Sequence, residues 1–199
     1  MNSYRPMCEL RVIIITIFLL LSLVATAQAR SDYDVGTGIG FVSGSPDGTN
    51  FAQSFQMDWR IVNGRNSILG RFWTSVGPYV QFVPPGPYMH VAGAIVARLH
   101  WHFLDHFIED CDDCKLHHAL TLSPFIGMGG MHAQLNQAGG ITQDFSYYSP
   151  VGLSLDYDFL RRFGVSVNFV HNFHDLNVGN GGGHDRGSEA FFFTIRFNL

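Results

Sequence analysis

The last nine residues constrain this chain more than any others. Phe191, Phe193, Ile195, Phe197 and Leu199 are apolar, while Thr194, Arg196 and Asn198 between them are polar. Successive side chains of a strand point to opposite faces, so a period of two describes a strand with one greasy and one wet side. The same period recurs upstream. Phe163, Val165, Val167, Phe169 and Phe173 alternate with Gly164, Ser166, Asn168 and Asn172; Tyr147, Val151, Leu153, Leu155 and Tyr157 alternate with Ser146, Ser154, Asp156 and Asp158 in Phe145 to Phe159. Phe55, Met57, Trp59 and Ile61 face away from Gln56, Asp58 and Arg60, and Tyr33, Val35, Ile39 and Phe41 from Asp34 and three glycines. Fainter versions run from Ile68 to Phe82, Met89 to Phe103 and Leu120 to Met131, which makes eight segments.

Turn formers separate them. Ser43 to Asn50, Asn63 to Asn66, Pro84 to Pro87, Leu135 to Asp144, Leu160 to Arg162 and Asp175 to Gly187 are rich in Gly, Pro, Asn and Asp and read as connections. The segments are roughly 10 to 16 residues long, and a strand that crosses a bilayer needs about 9 to 11.

Charge decides which way the greasy side faces. Only 14% of the residues are charged, against roughly 25% in an ordinary soluble domain. Eleven of the twelve basic residues are Arg, and Lys115 stands alone. A formal net charge of −4 excludes a basic nucleic-acid binder. A soluble barrel of the lipocalin type would place its polar residues outside, where Lys and Glu abound. Here the polar parity holds Asp34, Asp58, Asp156 and Asp158 against Arg60, Arg71, Arg98 and Arg196. Four acids and four bases suit an interior in which each charge is paired. An eight-stranded barrel has an interior just wide enough to be filled by side chains. The expectation is an all-β, eight-stranded antiparallel up-and-down transmembrane β-barrel whose lumen is closed by a charge network.

Met1 to Ala29 reads as an address. Arg5 and Arg11 precede the apolar run Val12 to Val24, and Ala27-Gln28-Ala29 supplies small residues for cleavage, the layout of a secretory signal peptide. A membrane anchor is the alternative, but it needs about 20 apolar residues. Cleavage after Ala29 leaves a single domain, 30–199, with ten basic and fifteen acidic residues.

The leader, the eight alternating segments and the ending Phe191-Phe192-Phe193-Thr194-Ile195-Arg196-Phe197-Asn198-Leu199 resemble the small outer-membrane β-barrels of Gram-negative bacteria, in the OmpA/OmpX/OmpW-like group. Leu122-Ser123-Pro124-Phe125-Ile126-Gly127-Met128-Gly129-Gly130 is similar to a strand common in these families. The resemblance implies the bacterial outer membrane as location, outer-membrane lipids and lipopolysaccharide as surroundings, and the barrel-assembly machinery as partner during biogenesis. An even strand number with both termini in the periplasm then makes Ser43 to Asn50, Pro84 to Pro87, Leu135 to Asp144 and His174 to Gly187 cell-surface loops. The last includes the glycine-rich Gly179-Asn180-Gly181-Gly182-Gly183-His184.

Three constellations carry possible chemistry. The long turn Leu104 to His118 contains Cys111 and Cys114, which read as a local disulfide in an oxidising envelope, or, with His117 and His118, as a zinc shell. His90, Arg98, His100 and His102 share the inward parity and read as lumen packing. His171 and Glu189 fall on the outward parity near the outer ends of the last two strands, where an ionisable residue is a functional candidate. They resemble two members of the Ser-His-Glu triad of the lipid A deacylase barrels, but the position two after His171 is Phe173, which has no hydroxyl to act as nucleophile. The expected function is a structural or surface-contact role with no cofactor and no catalysis. The alternatives are a lipid A deacylase-like esterase and a narrow OmpW-like channel for small hydrophobic molecules.

Overall fold

The computed structural model describes residues 33–45, 48–67, 70–107, 117–137, 140–160, 162–177 and 185–198. They form eight strands: β1 (Tyr33–Ser45), β2 (Gly48–Ser67), β3 (Gly70–Val83), β4 (Tyr88–Phe107), β5 (His117–Gln137), β6 (Gly140–Leu160), β7 (Phe163–Leu176) and β8 (Asp185–Asn198). Each is antiparallel to its neighbour in sequence, and β8 returns to β1 to close the ring. Closure leaves no strand without two neighbours around the waist, the condition for a sheet to exist in hydrocarbon.

The stagger follows from the register. A row starting at Val42 passes Ala190, Val170, Gly152, Phe125, Arg98 and Ser75 and returns at Arg60, ten residues along β2 from Asn50, which pairs with Val42 directly. This stagger tilts the strands and sets the bore.

Alternation sorts the side chains as the sequence predicts. Ile39, Phe41, Ile95, Ile126, Leu153, Phe169, Phe191, Phe193 and Ile195 are exposed on the outside, whereas Asp58, Arg98, Asp156 and Arg196 are buried inside. Toward the chain ends the outer surface carries aromatic contacts between Tyr33 and Trp59, Phe72 and Trp101, and Phe163 and Phe197. Such a band of rings matches the girdle that amphipathic aromatics form at a membrane boundary.

Several expected connections are strand instead. The segment Leu135 to Asp144 belongs largely to a hairpin in which β5 and β6 stay paired to Gln137 and Gly140. Gln143 donates to Gln134 across it, and Gly140 turns with φ of 140°, which a side chain would strain. The first connection shrinks because β1 reaches Ser45 and β2 starts at Gly48, with Gly44 and Gly48 at positive φ. Asn63 to Asn66 lies inside β2, opposite β3. β4 and β5 extend into the long turn as far as Phe107 and His117, and β7 and β8 into the last loop as far as Leu176 and Asp185. In every case polar turn formers were compatible with a strand because the hairpin supplies backbone partners wherever it continues.

Candidate functional site: a filled lumen and an outward histidine–glutamate pair

The lumen is built from the inward parity of all eight strands. Toward the chain ends it is ionic. Arg196 of β8 contacts Asp34 at 3.3 Å, Asp156 at 3.3 Å and Asp158 at 3.8 Å. Arg98 of β4 donates from Nε to Asp58 at 2.9 Å and from Nη2 to Gln56 Oε1 at 3.0 Å. The two groups are joined through His100. Ser123 donates to Asp156 Oδ2 at 2.9 Å, and its oxygen lies 2.9 Å from His100 Nδ1; His100 Nε2 lies 2.7 Å from Ser75 Oγ, which in turn lies 3.3 Å from Asp58 Oδ1. The ring stacks on Trp73 at 4.9 Å, and the guanidinium of Arg60 lies 5.0 Å from the same indole. Arg71 pairs with His102 along β3 and β4; its side chain lies outside the described residues.

Toward the loops the lumen is polar without formal charge. Tyr148 donates to Asn172 Oδ1 at 2.8 Å, and Asn172 Nδ2 donates to Ser188 at 3.1 Å. Gln81 Nε2 donates to His90 Nε2 at 2.9 Å, which leaves the His90 proton on Nδ1 to reach Tyr88 Oη at 3.2 Å. Phe125 links the two halves: its ring sits 4.3 Å under the Arg98 guanidinium and 6.3 Å from Tyr79. Phe192, Val42, Val96 and Val170 are buried beside it. Gln81, Asn172, Tyr88, Tyr148 and Ser188 lie on the same inward face as the charged residues and are buried with them; the alternation marks Asn172 as inward, and the other four carry no formal charge to mark them in the sequence.

On the outside, His171 of β7 stands directly opposite Glu189 of β8. No hydrogen bond joins them among the described residues. The imidazole packs edge-on against Phe173 at 4.4 Å and lies over Gly187, where an added Cβ would sit 3.5 Å from Nε2. One outward hydroxyl that the sequence reading missed is near: Ser149 of β6 pairs with Phe173, one step diagonal from His171. Its Oγ is turned the other way and donates to the Gly127 carbonyl of β5 at 2.8 Å. Ser43 of β1 pairs with Glu189 and bonds to its backbone oxygen at 3.4 Å, not to its carboxylate. The His and Glu are therefore adjacent, and neither serine is engaged with the His. Cys111 and Cys114 lie outside the described residues, and His117 and His118 open β5. Among the described residues no cluster of three His, Cys, Asp or Glu side chains is placed to hold a metal ion.

No protein-family model matches the chain, and no curated protein is similar to it in sequence. Solved structures do match. Ail, the attachment invasion locus protein of Yersinia pestis, is 8% identical with a TM-score of 0.53, over 84% of this chain and 96% of Ail. The N-terminal β-barrel domain of Pseudomonas aeruginosa OprF is 9% identical with a TM-score of 0.52, over 85% of this chain and 98% of that domain. The outer membrane enzyme PagL is 12% identical with a TM-score of 0.47, over 83% and 99%. With eight strands in a closed ring, an apolar exterior and a charged interior, the chain has the eight-stranded closed-barrel fold of these outer-membrane proteins.

Proposed function

We propose that this protein is a non-catalytic resident of the outer membrane whose barrel is a closed scaffold and whose loop end makes contacts at the cell surface. The observation that carries the reading is the lumen. Arg98, Arg196, Asp58, Asp156, Tyr79, Tyr148 and Phe192 are all at most 6% exposed, so side chains occupy the space a conduit would need. A charged interior also opposes passage of hydrophobic molecules, which argues against the narrow-channel reading. Ail is named as an attachment invasion locus protein, and the fold shared with it is compatible with a contact role here.

In this reading Met1 to Ala29 is removed on export, the barrel-assembly machinery inserts the remainder, both termini face the periplasm, and lipopolysaccharide surrounds the outer half. Cys111 and Cys114 form a local disulfide in the periplasmic turn; stoichiometric zinc in purified protein would replace that assignment by the metal one. Electrophoresis of the outer-membrane fraction with and without boiling tests the scaffold: a folded barrel migrates apart from its boiled form, and a single unchanged band in the inner-membrane or soluble fraction would reject it. Planar-bilayer recording tests the closed lumen, and steady single-channel steps would contradict it.

One second reading has a specific observation behind it, the opposed His171 and Glu189. As a lipid-modifying esterase the chain would need a hydroxyl in line with the imidazole. Mass analysis of lipid A from cells with and without the protein decides this, and loss of an acyl chain would favour the enzyme.

A further inference from the structure

Near its turn the hairpin of β5 and β6 sends alternate side chains into the barrel and away from it. Met131, Leu135 and Tyr148 are buried. On the opposite face the register sets Gly130 against Tyr147, His132 against Phe145, Gln134 against Gln143 and Asn136 against Ile141. Side chains two apart on a strand share a face at a spacing of about 7 Å, so these four rungs make one continuous outward surface. Its lower part is aromatic. The His132 imidazole lies flat on the Phe145 ring, with centroids 4.3 Å apart and planes within 13°. Phe145 is nevertheless 77% exposed, and Tyr147 and Ile141 beside it are 60% and 65% exposed.

The upper part of the face is a row of carboxamides held in one direction. Gln143 Nε2 donates to Gln134 Oε1 at 3.1 Å, Gln134 Nε2 donates to Asn136 Oδ1 at 2.9 Å, and Asn136 Nδ2 donates to the Gly86 carbonyl at 2.9 Å. Every link runs toward Gly86, so the row starts at Gln143, whose Oε1 accepts from no donor among the described residues. Hydrogen bonds in a chain polarise one another, and an amide that donates through its N–H is the better acceptor at its oxygen. None of the eight residues in the four rungs is Asp, Glu, Lys or Arg. Asp144 stands beside them, but its two carboxylate oxygens accept from the Phe145 and Asn177 N–H groups at 2.8 and 2.6 Å.

Three carboxamides turned toward hydrocarbon would be costly, which places this face in water beyond the bilayer. Large rings exposed in water and bordered by polar groups mark a site of recognition. We propose that the outward face of this hairpin, with Phe145 and Tyr147 next to the carboxamide row, binds a neutral saccharide. The proposal rests on the reading of the loop end as a cell-surface contact and names the class of ligand. A pyranose has one face of polarised C–H groups, which packs on the negative face of an aromatic ring, and a rim of hydroxyls, each a donor and an acceptor. Phe145 supplies the ring, and the Gln143 amide, two residues along the same strand, supplies a fixed acceptor for a hydroxyl of that sugar. Charge selects against the other occupants. An anionic polysaccharide finds no cation on these rungs, and an acyl chain would cover the carboxamides without pairing them.

The test uses the full chain folded in lauryldimethylamine oxide, a detergent without a sugar headgroup, with the boiling-dependent gel shift confirming the fold of each variant. The probes are maltohexaose, cellohexaose and mannohexaose, and the control is sulfated maltohexaose. Saturation-transfer NMR from the aromatic protons of the protein is expected to reach the C–H protons of at least one neutral probe, saturably at about millimolar concentration, and not those of the control. Phe145→Ala weakens binding about tenfold or more, Gln143→Ala weakens it about threefold to tenfold, and Phe145→Tyr, which keeps the ring, stays close to wild type. No saturable binding of any neutral probe, equal binding to Phe145→Ala, or equal binding of the sulfated control overturns the proposal. So does association of the protein alone that Phe145→Ala abolishes, which assigns the face to a second copy. If the gel shift is absent from wild type, the scaffold reading fails first and separately. Binding in micelles but not by intact cells that carry the protein rejects the surface orientation and upholds the site.

Discussion

Ser149 donates its hydroxyl hydrogen to the carbonyl oxygen of Gly127 at 2.8 Å, one residue before a proline that stands opposite that glycine. Pro150 has no N–H, so the strand lacks the donor that Gly127 would ordinarily receive. The serine supplies it from the side.

This relationship predicts a non-additive pair. Ser149→Ala is expected to cost about 1–3 kcal/mol, because a carbonyl in an apolar setting is left without a donor. Pro150→Ala in the same chain restores a backbone N–H and recovers most of that loss. Urea unfolding in micelles, followed by tryptophan fluorescence, measures both; equal destabilisation of the single and double variants would refute the substitution of hydroxyl for amide.

Arg196 is the hub of the ionic half of the lumen, with Asp34, Asp156 and Asp158 around it. Arg196→Ala leaves three carboxylates facing one another in a buried space and is expected to destabilise by about 3–5 kcal/mol. Asp34, the most exposed of the three, is the mildest to lose. A smaller effect from Arg196→Ala than from Asp34→Asn in the same unfolding assay would show that the hub lies elsewhere.

Gly152 of β6 leaves room for the ring of Phe125, since a Cβ there would come within 2.4 Å of Phe125 Cζ and of the Phe169 carbonyl oxygen. Gly152→Ala displaces the ring from beneath Arg98 at an expected cost of about 1–3 kcal/mol. Unchanged stability and unchanged ring resonances for Phe125 would contradict this packing.

The outward pair makes a chemical prediction. His171→Asn and Glu189→Gln are expected to leave the lipid A mass profile of expressing cells identical to that of the wild type, and stability within about 0.5 kcal/mol, as for surface positions generally. A change in acyl-chain number confined to the wild type would reverse the assignment and make the pair catalytic.

The sequence by itself determined the parity of nearly every strand, and with it the barrel, the greasy exterior and the balance of acids and bases within. These follow from a period of two, which any short stretch carries on its own. It also marked His171 and Glu189 as outward residues near the loop end. Only the tertiary structure decided that those two stand opposite each other, that Arg98 meets Asp58 while Arg196 gathers the other three acids, and that Ser149 turns toward β5 and away from His171. Register is the reason: it depends on the neighbouring strands and on the stagger with which the ring closes, and a slip of one residue would move each of these contacts. The same holds for Leu135 to Asp144, where polar turn formers read as a loop and the pairing of β5 with β6 out to Gln137 and Gly140 makes most of the segment strand.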